Sequence, residues 1–480
     1  MKSPKKVILA PLMVFMNIHA ALAASVHGDG TNFQSPQGTS ESCVAITKLP
    51  LGKYSAKDVE KENELCSIDF YNNSVALCPK TWSTSPGTIV RDNSNTGKTS
   101  LQSEASACSQ NSPLDALAKF KQTMSRPDTS GTFSLASILY YHFSRVLDAT
   151  VDVAPAVYRT MDKDAHYARV SSKAHPSPRA KMNVAGWKHL QAAEKNPSTY
   201  SPVSDLFTAD LQQVYGALAK SKGERYGVEV NGTRASGWGK GQNLDFQKTP
   251  GFMALRSHQP MPQAIQEGVA QAFKDPAMAR AFAGVRPSDT QVTLWMKELS
   301  EIVIMDYIFS QQDRVGNVDY RWFWVYQDAS GKVQMEKADS KVSLLKKATI
   351  KAPQEIAGFH PILVQKTWIG DNDAGGKVNY ANFAKATQMV ENIRHISPET
   401  YRRLYQLALD FEQQGPNYQV LVNNFGLSAD TLKQTVANTK AAASILVKAC
   451  EAKTLHFDLV SYKAAYQQQY QEAAVNCRNP

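Results

Sequence analysis

Residues 305–317 read MDYIFSQQDRVGN. An apolar run, LWMKELSEIVIM (294–305), leads into them, and an aromatic run, YRWFWVY (320–326), follows. The polar knot Asp313-Arg-Val-Gly-Asn317 therefore sits between a helix and a strand. A tight turn is one account of it, and a catalytic loop is the other.

Working outward, residues 260–312 read as helix in two parts, split by GVRPSD (284–289), with Ser288 and Asp289 as caps of the second part. Downstream, 318–338 reads as a β-hairpin turning at Asp328-Ala-Ser-Gly331. Alternation sends Trp322 and Trp324 to one face of its first strand and Phe323 and Val325 to the other, as in a strand buried on both sides. HPILVQKTWI (360–369) is a further strand, and it runs into Asp371-Asn372-Asp373.

Helix, acidic knot, hairpin, strand and second acidic knot, in that order, can build a phosphoryl-transfer site. That chemistry needs a carboxylate beside the attacking hydroxyl and oxygen ligands for a phosphate-screening metal. Asp313 suits the first role. Asp371 suits the second, with Asn317 or Asp373 adding an oxygen, and such donors favour Mg²⁺ or Mn²⁺. The competing reading makes Asp313-Arg314 a helix cap and Asp371–Asp373 a turn or a loop calcium site.

Asp306-Tyr307-Ile308, then Asp313-Arg314, then the later Asp371-Asn372 resemble the motifs of the atypical kinase superfamily. That group includes type II phosphatidylinositol 4-kinases, the secretory-pathway casein kinases of the Golgi and bacterial HipA-like kinases. The resemblance spans about residues 133–373 and is dense in two short windows. It implies an α+β, two-lobed protein-kinase-like fold with a small mixed N-lobe and a mainly helical C-lobe. It also implies ATP or another nucleotide with Mg²⁺ or Mn²⁺, Asp313 and Arg314 as catalytic-loop residues, and Asp371, Asn317 and Asp373 toward the metal. Upstream, YYHFSRVLDATVDVAPAVYRT (140–160) resembles the small-lobe helix and the strand after it. In that register Lys121 is the nucleotide-contacting lysine and Lys119 its alternative, either meeting phosphates as a point charge.

Three features depart from the pattern. Asn317 stands four residues after Asp313 where five is usual. The helix expected over 132–147 carries no Glu to pair with the lysine, and Ser137 lies near that place. The long spacing from Asp313 to Asp371 implies an inserted hairpin or loop around 327–360. These departures keep a catalytically silent kinase-like binding protein, or an exported adhesin, as the alternative, with a hydrolase ranked last.

The 480 residues are 42% apolar and 20% charged, with a net charge of +10. Residues 1–23 read as a secretory signal: Lys2, Lys5 and Lys6, then VILAPLMVFMNI, then Ala21-Leu22-Ala23. Without those three lysines the charge is about +7, and no run of five basic residues occurs, so nucleic acid is not an expected partner. The leader is too short and too interrupted by Pro11 for a membrane span, which needs about 20 residues. The expected protein is exported, periplasmic or secreted, with no transmembrane segment. Its acceptor, whether protein, lipid or small molecule, is not legible.

Four parts are expected: the signal at 1–23, a disulfide-bearing segment at 24–112, a small lobe with insertions at 113–259, and a mainly helical lobe at 260–480. All six cysteines, Cys43, Cys66, Cys78, Cys108, Cys450 and Cys477, lie beyond the leader. An even count in an exported chain points to disulfides. Cys450–Cys477 can clip the last helix, and the other four allow three pairings. No Cys-x-x-Cys supports zinc. The Gly-rich GVEVNGTRASGWGKG (227–241) lacks the phosphate-loop spacing and reads as a flexible surface loop, with Trp238 able to stack on a ligand ring. His142, His360 and His395 read as structural or surface residues. Tyr462, Tyr466 and Tyr470 recur at helical spacing as one packing face.

Overall fold

Seven short runs between residues 28 and 219, separated by turns and helices, assemble into one sheet. The computed structural model describes residues 25–220 and 223–480; the leader at 1–23 lies outside them. Strands β1 (Gly28–Gln34), β2 (Ser40–Ile46), β3 (Val75–Pro79), β4 (Thr88–Asp92), β5 (Ala116–Gln122), β7 (Ala156–Asp162) and β8 (Gln213–Ala219) form a seven-stranded antiparallel sheet. Its order is β1-β2-β7-β8-β5-β4-β3. Four of these strands come from the 24–112 segment and three from the region read as the small lobe. Between β5 and β7 lies the two-residue β6 (Asp152–Val153), and Pro155 separates it from β7.

Two cystines tie this sheet to helices. Cys43–Cys66 joins β2 to α1 (Ala56–Cys66), and Cys78–Cys108 joins β3 to the end of a helix at Ser100–Ala107. Phe70, Phe120 and Leu218 pack with Trp187 and Leu190 of α3 (Lys181–Lys195) to form one core. On the other side lies α2 (Ser134–Val146), part of a larger core that continues into the C-terminal half. Its apolar residues recur at helical spacing, which is the pattern that marked it in the sequence.

The C-terminal half is mainly helical around a small second sheet. In it, β10 (Asp319–Gln327) pairs antiparallel with β11 (Val333–Lys337), β12 (Ile362–Ile369) and the two-residue β9 (Glu224–Arg225), while β12 pairs parallel with β6. Trp322 and Trp324 enter the large core, and Val325 joins a smaller one with Val333 and Val364. The chain is thus α+β, with a sheet-built lobe followed by a mainly helical one.

After the helix α4 (Met261–Ala272) comes α5 (Asp289–Ile308), capped by Ser288, whose side chain accepts from the Gln291 N–H. All of α5 except Asp289 and Lys297 is buried, its polar side chains included, so those need partners. Two acids inside it fasten strands. Glu298 accepts the Thr367 N–H at 3.1 Å and the Thr367 hydroxyl at 2.5 Å, while Glu301 accepts the N–H groups of Thr150 and Val151 at 2.7 and 2.9 Å. Burial pushes the Glu298 carboxyl up to about 8. These bonds hold β12 and the approach to β6 against α5, and so fix where the Asp371 loop emerges.

The remaining helices include α6 (Pro398–Glu412) and α7 (Ala429–Glu451), which pack on α5 and α2. Cys450–Cys477 closes the C-terminal tail back onto α7. The tyrosine-rich tail departs from its expected single face: its helix is only Tyr462–Tyr466, these two tyrosines pack on the small β10–β12 core, and Tyr470 lies beyond. His142 and His395 are fully buried. His142 meets the Tyr54 hydroxyl at 2.6 Å and His395 meets Asp458 at 2.9 Å. His360 takes a positive φ of 49° in a loop. Among the described residues no helix is long and apolar enough to cross a membrane.

Because Cys450–Cys477 closes a span of 27 residues, its removal frees unfolded-chain entropy worth about 3–4 kcal/mol. The double substitution Cys450→Ser/Cys477→Ser is expected to lower the unfolding midpoint measured by scanning calorimetry, with the sheet lobe's secondary structure retained in circular dichroism.

Candidate functional site

Strand alternation in β5 turns Phe120 into the sheet-lobe core and Lys119 and Lys121 to the opposite face. That face looks onto the loop after β12. Lys119 Nζ lies 3.0 Å from Asp371 Oδ1, and Lys121 Nζ pairs with the Asp373 carboxylate. Lys121 also donates to Ser85 Oγ at 2.9 Å. Ser85 belongs to the connection KTWSTSPG (80–87) that joins β3 to β4 and lies beside this face.

Lys80, at the start of the same connection, completes a group of three lysines. Burial, reinforced by the neighbouring Lys119 and Lys121 charges, pulls its ammonium down to about 7. Lys119 behaves in the opposite way: burial opposes its charge, but Asp371 and Asp373 outweigh burial and raise it. Asp371 in turn is held well below the usual carboxylate range, chiefly by Lys119.

The DRVGN loop is fixed by its arginine. Arg314 is buried and points inward, not toward the cleft. Its Nε and Nη2 each donate to Asp306 at 2.9 Å, and Nη2 also donates to Asn372 Oδ1 at 2.9 Å. Tyr140 of α2 donates its hydroxyl to the same Asp306 at 2.6 Å. One fork thus joins α5, α2 and the two acidic loops. Backbone bonds add to it: Gln312 N–H to the Ala374 carbonyl at 3.0 Å, and Gly376 N–H to the Phe309 carbonyl at 2.5 Å. The sequence reading made Arg314 a catalytic-loop residue serving as a structural or phosphate-charge partner; here its contacts are with Asp306 and Asn372 in the interior.

Asp313 follows as a half-buried carboxyl at the mouth of the cleft. Its backbone N–H donates to Gln311 Oε1 at 3.0 Å, and Asn317 Nδ2 donates to its carboxylate at 3.1 Å. Burial, with Asp371 and Asp373 adding like charge, raises it to about 6. On its outer side lies a cavity of about 560 Å³ lined by Asp313, Gln312, Trp238, Arg126, Thr129 and Tyr380 among others. Trp238 is 67% exposed there, its ring edge-on to Phe383. The Gly-rich 227–241 stretch, expected to be a flexible surface loop, is exposed mainly over 234–238; its first part is a short helix, Val228–Asn231, whose Glu229, Val230 and Asn231 are buried, and Asn231 braces the loop, its Oδ1 accepting the Gly316 N–H at 2.8 Å. Gly316 has a φ of 89°, a conformation that favours glycine.

The remaining contacts centre on Arg225 of β9. Its guanidinium donates to Asn317 Oδ1 at 2.5 Å and to the Gly316 carbonyl, pairs with Asp319 at 2.5 Å, and reaches Asp371 Oδ2 at 3.4 Å. Asp313, Asn317, Asp371, Asp373, Lys119 and Lys121 thus belong to one neighbourhood. Lys80, Asp319 and Arg225 belong to it too, and sequence reasoning missed them. The Ser/Thr-rich turn 80–87 between two strand runs is the signal that could have shown Lys80. Asp319 and Arg225 are brought in by β9–β10 pairing, for which no local signal exists.

Among the described residues no three His, Cys, Asp or Glu side chains converge as a ready-made metal cluster. The oxygen donors are of the kind Mg²⁺ and Mn²⁺ take, and each is engaged by a cation of the chain: Asp371 by Lys119 and Arg225, Asp373 by Lys121, Asn317 by Arg225.

No protein-family description and no curated protein matches this chain. Among solved structures, a crystal structure of the Golgi casein kinase with Mn/ADP bound aligns at 12% identity and a TM-score of 0.41, over 84% of this chain and 78% of that one. A second crystal structure of the Golgi casein kinase aligns at 10% identity and a TM-score of 0.38, over 84% and 79%.

Breaking the Arg314–Asp306 pair leaves Asp306 buried without its cation, a loss of about 3–5 kcal/mol. Arg314→Met is expected to destabilise by that order in denaturant melts. Adding Asp306→Leu to it, which removes the stranded charge, is expected to recover part of the loss.

Proposed function

We propose that this protein is a kinase-like phosphotransferase that moves a phosphoryl group from a nucleotide to an acceptor hydroxyl, working outside the cytoplasm as its leader and cystines suggest. The observation that carries the reading is the convergence of Lys119 and Lys121 from β5 with Asp371 and Asp373 from the loop after β12, next to Asp313. Lysine charges facing an acidic pair, with a separate half-buried carboxyl beside a cavity, supply what phosphoryl transfer asks of a protein.

In this reading Lys119, Lys121 and Lys80 meet the nucleotide phosphates, and the Ser/Thr-rich turn 80–87 covers them. Asp371, with Asp373 and the Asn317 oxygen, would hold Mg²⁺ or Mn²⁺, which screens phosphate charge when bound. Asp313 orients the acceptor hydroxyl and receives its proton, and the cavity of about 560 Å³ beside it takes the acceptor. Arg314 holds the two acidic loops in register.

One observation favours the second reading, a silent scaffold: the carboxylates already have cationic partners within the chain. Calorimetric titration of ATP and ADP into the protein, with and without MnCl₂, separates the two. Metal-dependent binding that Asp371→Asn abolishes is the expected result, and a complete absence of such binding in the unsubstituted protein would sink the proposal. Asp313→Asn is expected to keep nucleotide affinity within about twofold while turnover falls by about 10²–10⁴, the usual contribution of a positioned base.

A further inference from the structure

Arg225 occupies an unusual position. Its place follows from strand register, since β9 pairs with β10 so that Arg225 lies opposite Asp319. Gly223 permits this approach: a Cβ there would lie 2.8 Å from the Asp319 Cβ. The guanidinium then gathers an amide oxygen from Asn317, a carboxylate from Asp319, a carboxylate from Asp371 and the Gly316 carbonyl. Two carboxylates, an amide oxygen and a backbone carbonyl, from the DRVGN loop, the start of β10 and the loop after β12, all turned toward one positive charge, are a hard-oxygen donor set. An arginine and a divalent ion cannot share it.

We propose that Arg225 is a resident counter-cation: it holds the Asn317–Asp319–Asp371 oxygens together in the place of a divalent ion and leaves when that ion binds. The inference rests on the phosphotransfer reading and deepens it. It moves the main donor partner of Asp371 from Asp373 to Asp319, because Asp373 is committed to Lys121 in the buried interior. The Arg225 side chain is 44% exposed, so it has a solvent route out that Lys121, at 9%, lacks. A polyphosphate carries the charge and the paired oxygens that a guanidinium binds best, which gives the released arginine a second partner. The divalent ion then binds weakly to the free protein and more tightly when nucleotide is present.

The test is Mn²⁺ binding followed by electron paramagnetic resonance, without nucleotide, on the full protein. Arg225→Ala is expected to bind one Mn²⁺ at least about tenfold more tightly than the unsubstituted protein, and Arg225→Ala/Asp319→Asn is expected to lose that gain. Arg225→Gln, which keeps an amide donor toward Asp319, is read the same way should the alanine variant lose its near-ultraviolet circular dichroism. No gain in either Arg225 variant overturns the proposal, since Arg225 would then be only a structural tie. A gain that survives Asp319→Asn also overturns it, because the ion would be bound elsewhere. As no nucleotide is present, these outcomes stand apart from the phosphotransfer reading, whose failure would appear as absent nucleotide binding in all variants.

Discussion

The buried contact of Arg314 with Asp306 and Asn372 sets the geometry on which the candidate site depends. A charged pair in the interior is costly unless its hydrogen-bonding capacity is filled. Here Asp306 takes Nε and Nη2 of the guanidinium and the Tyr140 hydroxyl, the same Nη2 reaches Asn372, and only the buried Nη1 is left without a partner. The four groups come from α5, the DRVGN loop, α2 and the loop after β12. Moving Asp306 or Arg314 would strand a buried charge, and moving Tyr140 or Asn372 would strip that charge of a hydrogen bond. The contact therefore forces Asp313 and Asp371, 58 positions apart by the numbers in the sequence, to share one cleft.

With the loops fixed, electrostatics decides what the cleft can accept. Asp313, Asp319, Asp371 and Asp373 face Lys80, Lys119, Lys121 and Arg225. The acids and bases nearly balance, and the balance is local: Lys119 on Asp371, Lys121 on Asp373, Arg225 on Asp319. Lys80 is the one without a carboxylate of its own at contact distance among these pairs, and burial first, then the Lys119 and Lys121 charges, lower its ammonium. A ligand bringing negative charge to the Lys80 side relieves repulsion among the lysines, and this favours phosphate there more than a neutral group.

How much of this could be read from the chain depends on whether a signal was local. The α2 and α5 helices were legible because apolar residues recur at helical spacing and Ser288 marks a start. The β10–β11 hairpin was legible from Asp328-Ala-Ser-Gly331. Asp313 and Asp371 stood out as polar knots at the ends of apolar elements. The seven-stranded sheet was not legible. Its β1 is almost wholly exposed, so it shows no buried stripe. The cystine pairing among Cys43, Cys66, Cys78 and Cys108 had no sequence signal. Arg225, Asp319 and Lys80 act through pairing of distant strands, and their roles are visible only once β9 is laid on β10 and the 80–87 turn on β5.

The missing acid in α2 has a consequence of its own. Lys121 finds its carboxylate in Asp373, across the cleft, instead of on the helix of its own lobe. The lysine thus acts as a rivet between lobes. A tilt of α2 does not uncouple it, whereas any hinge motion that parts the lobes must first separate a nearly dry ion pair. Parting β5 from the loop after β12 therefore means separating two charges in a place with little water to receive them.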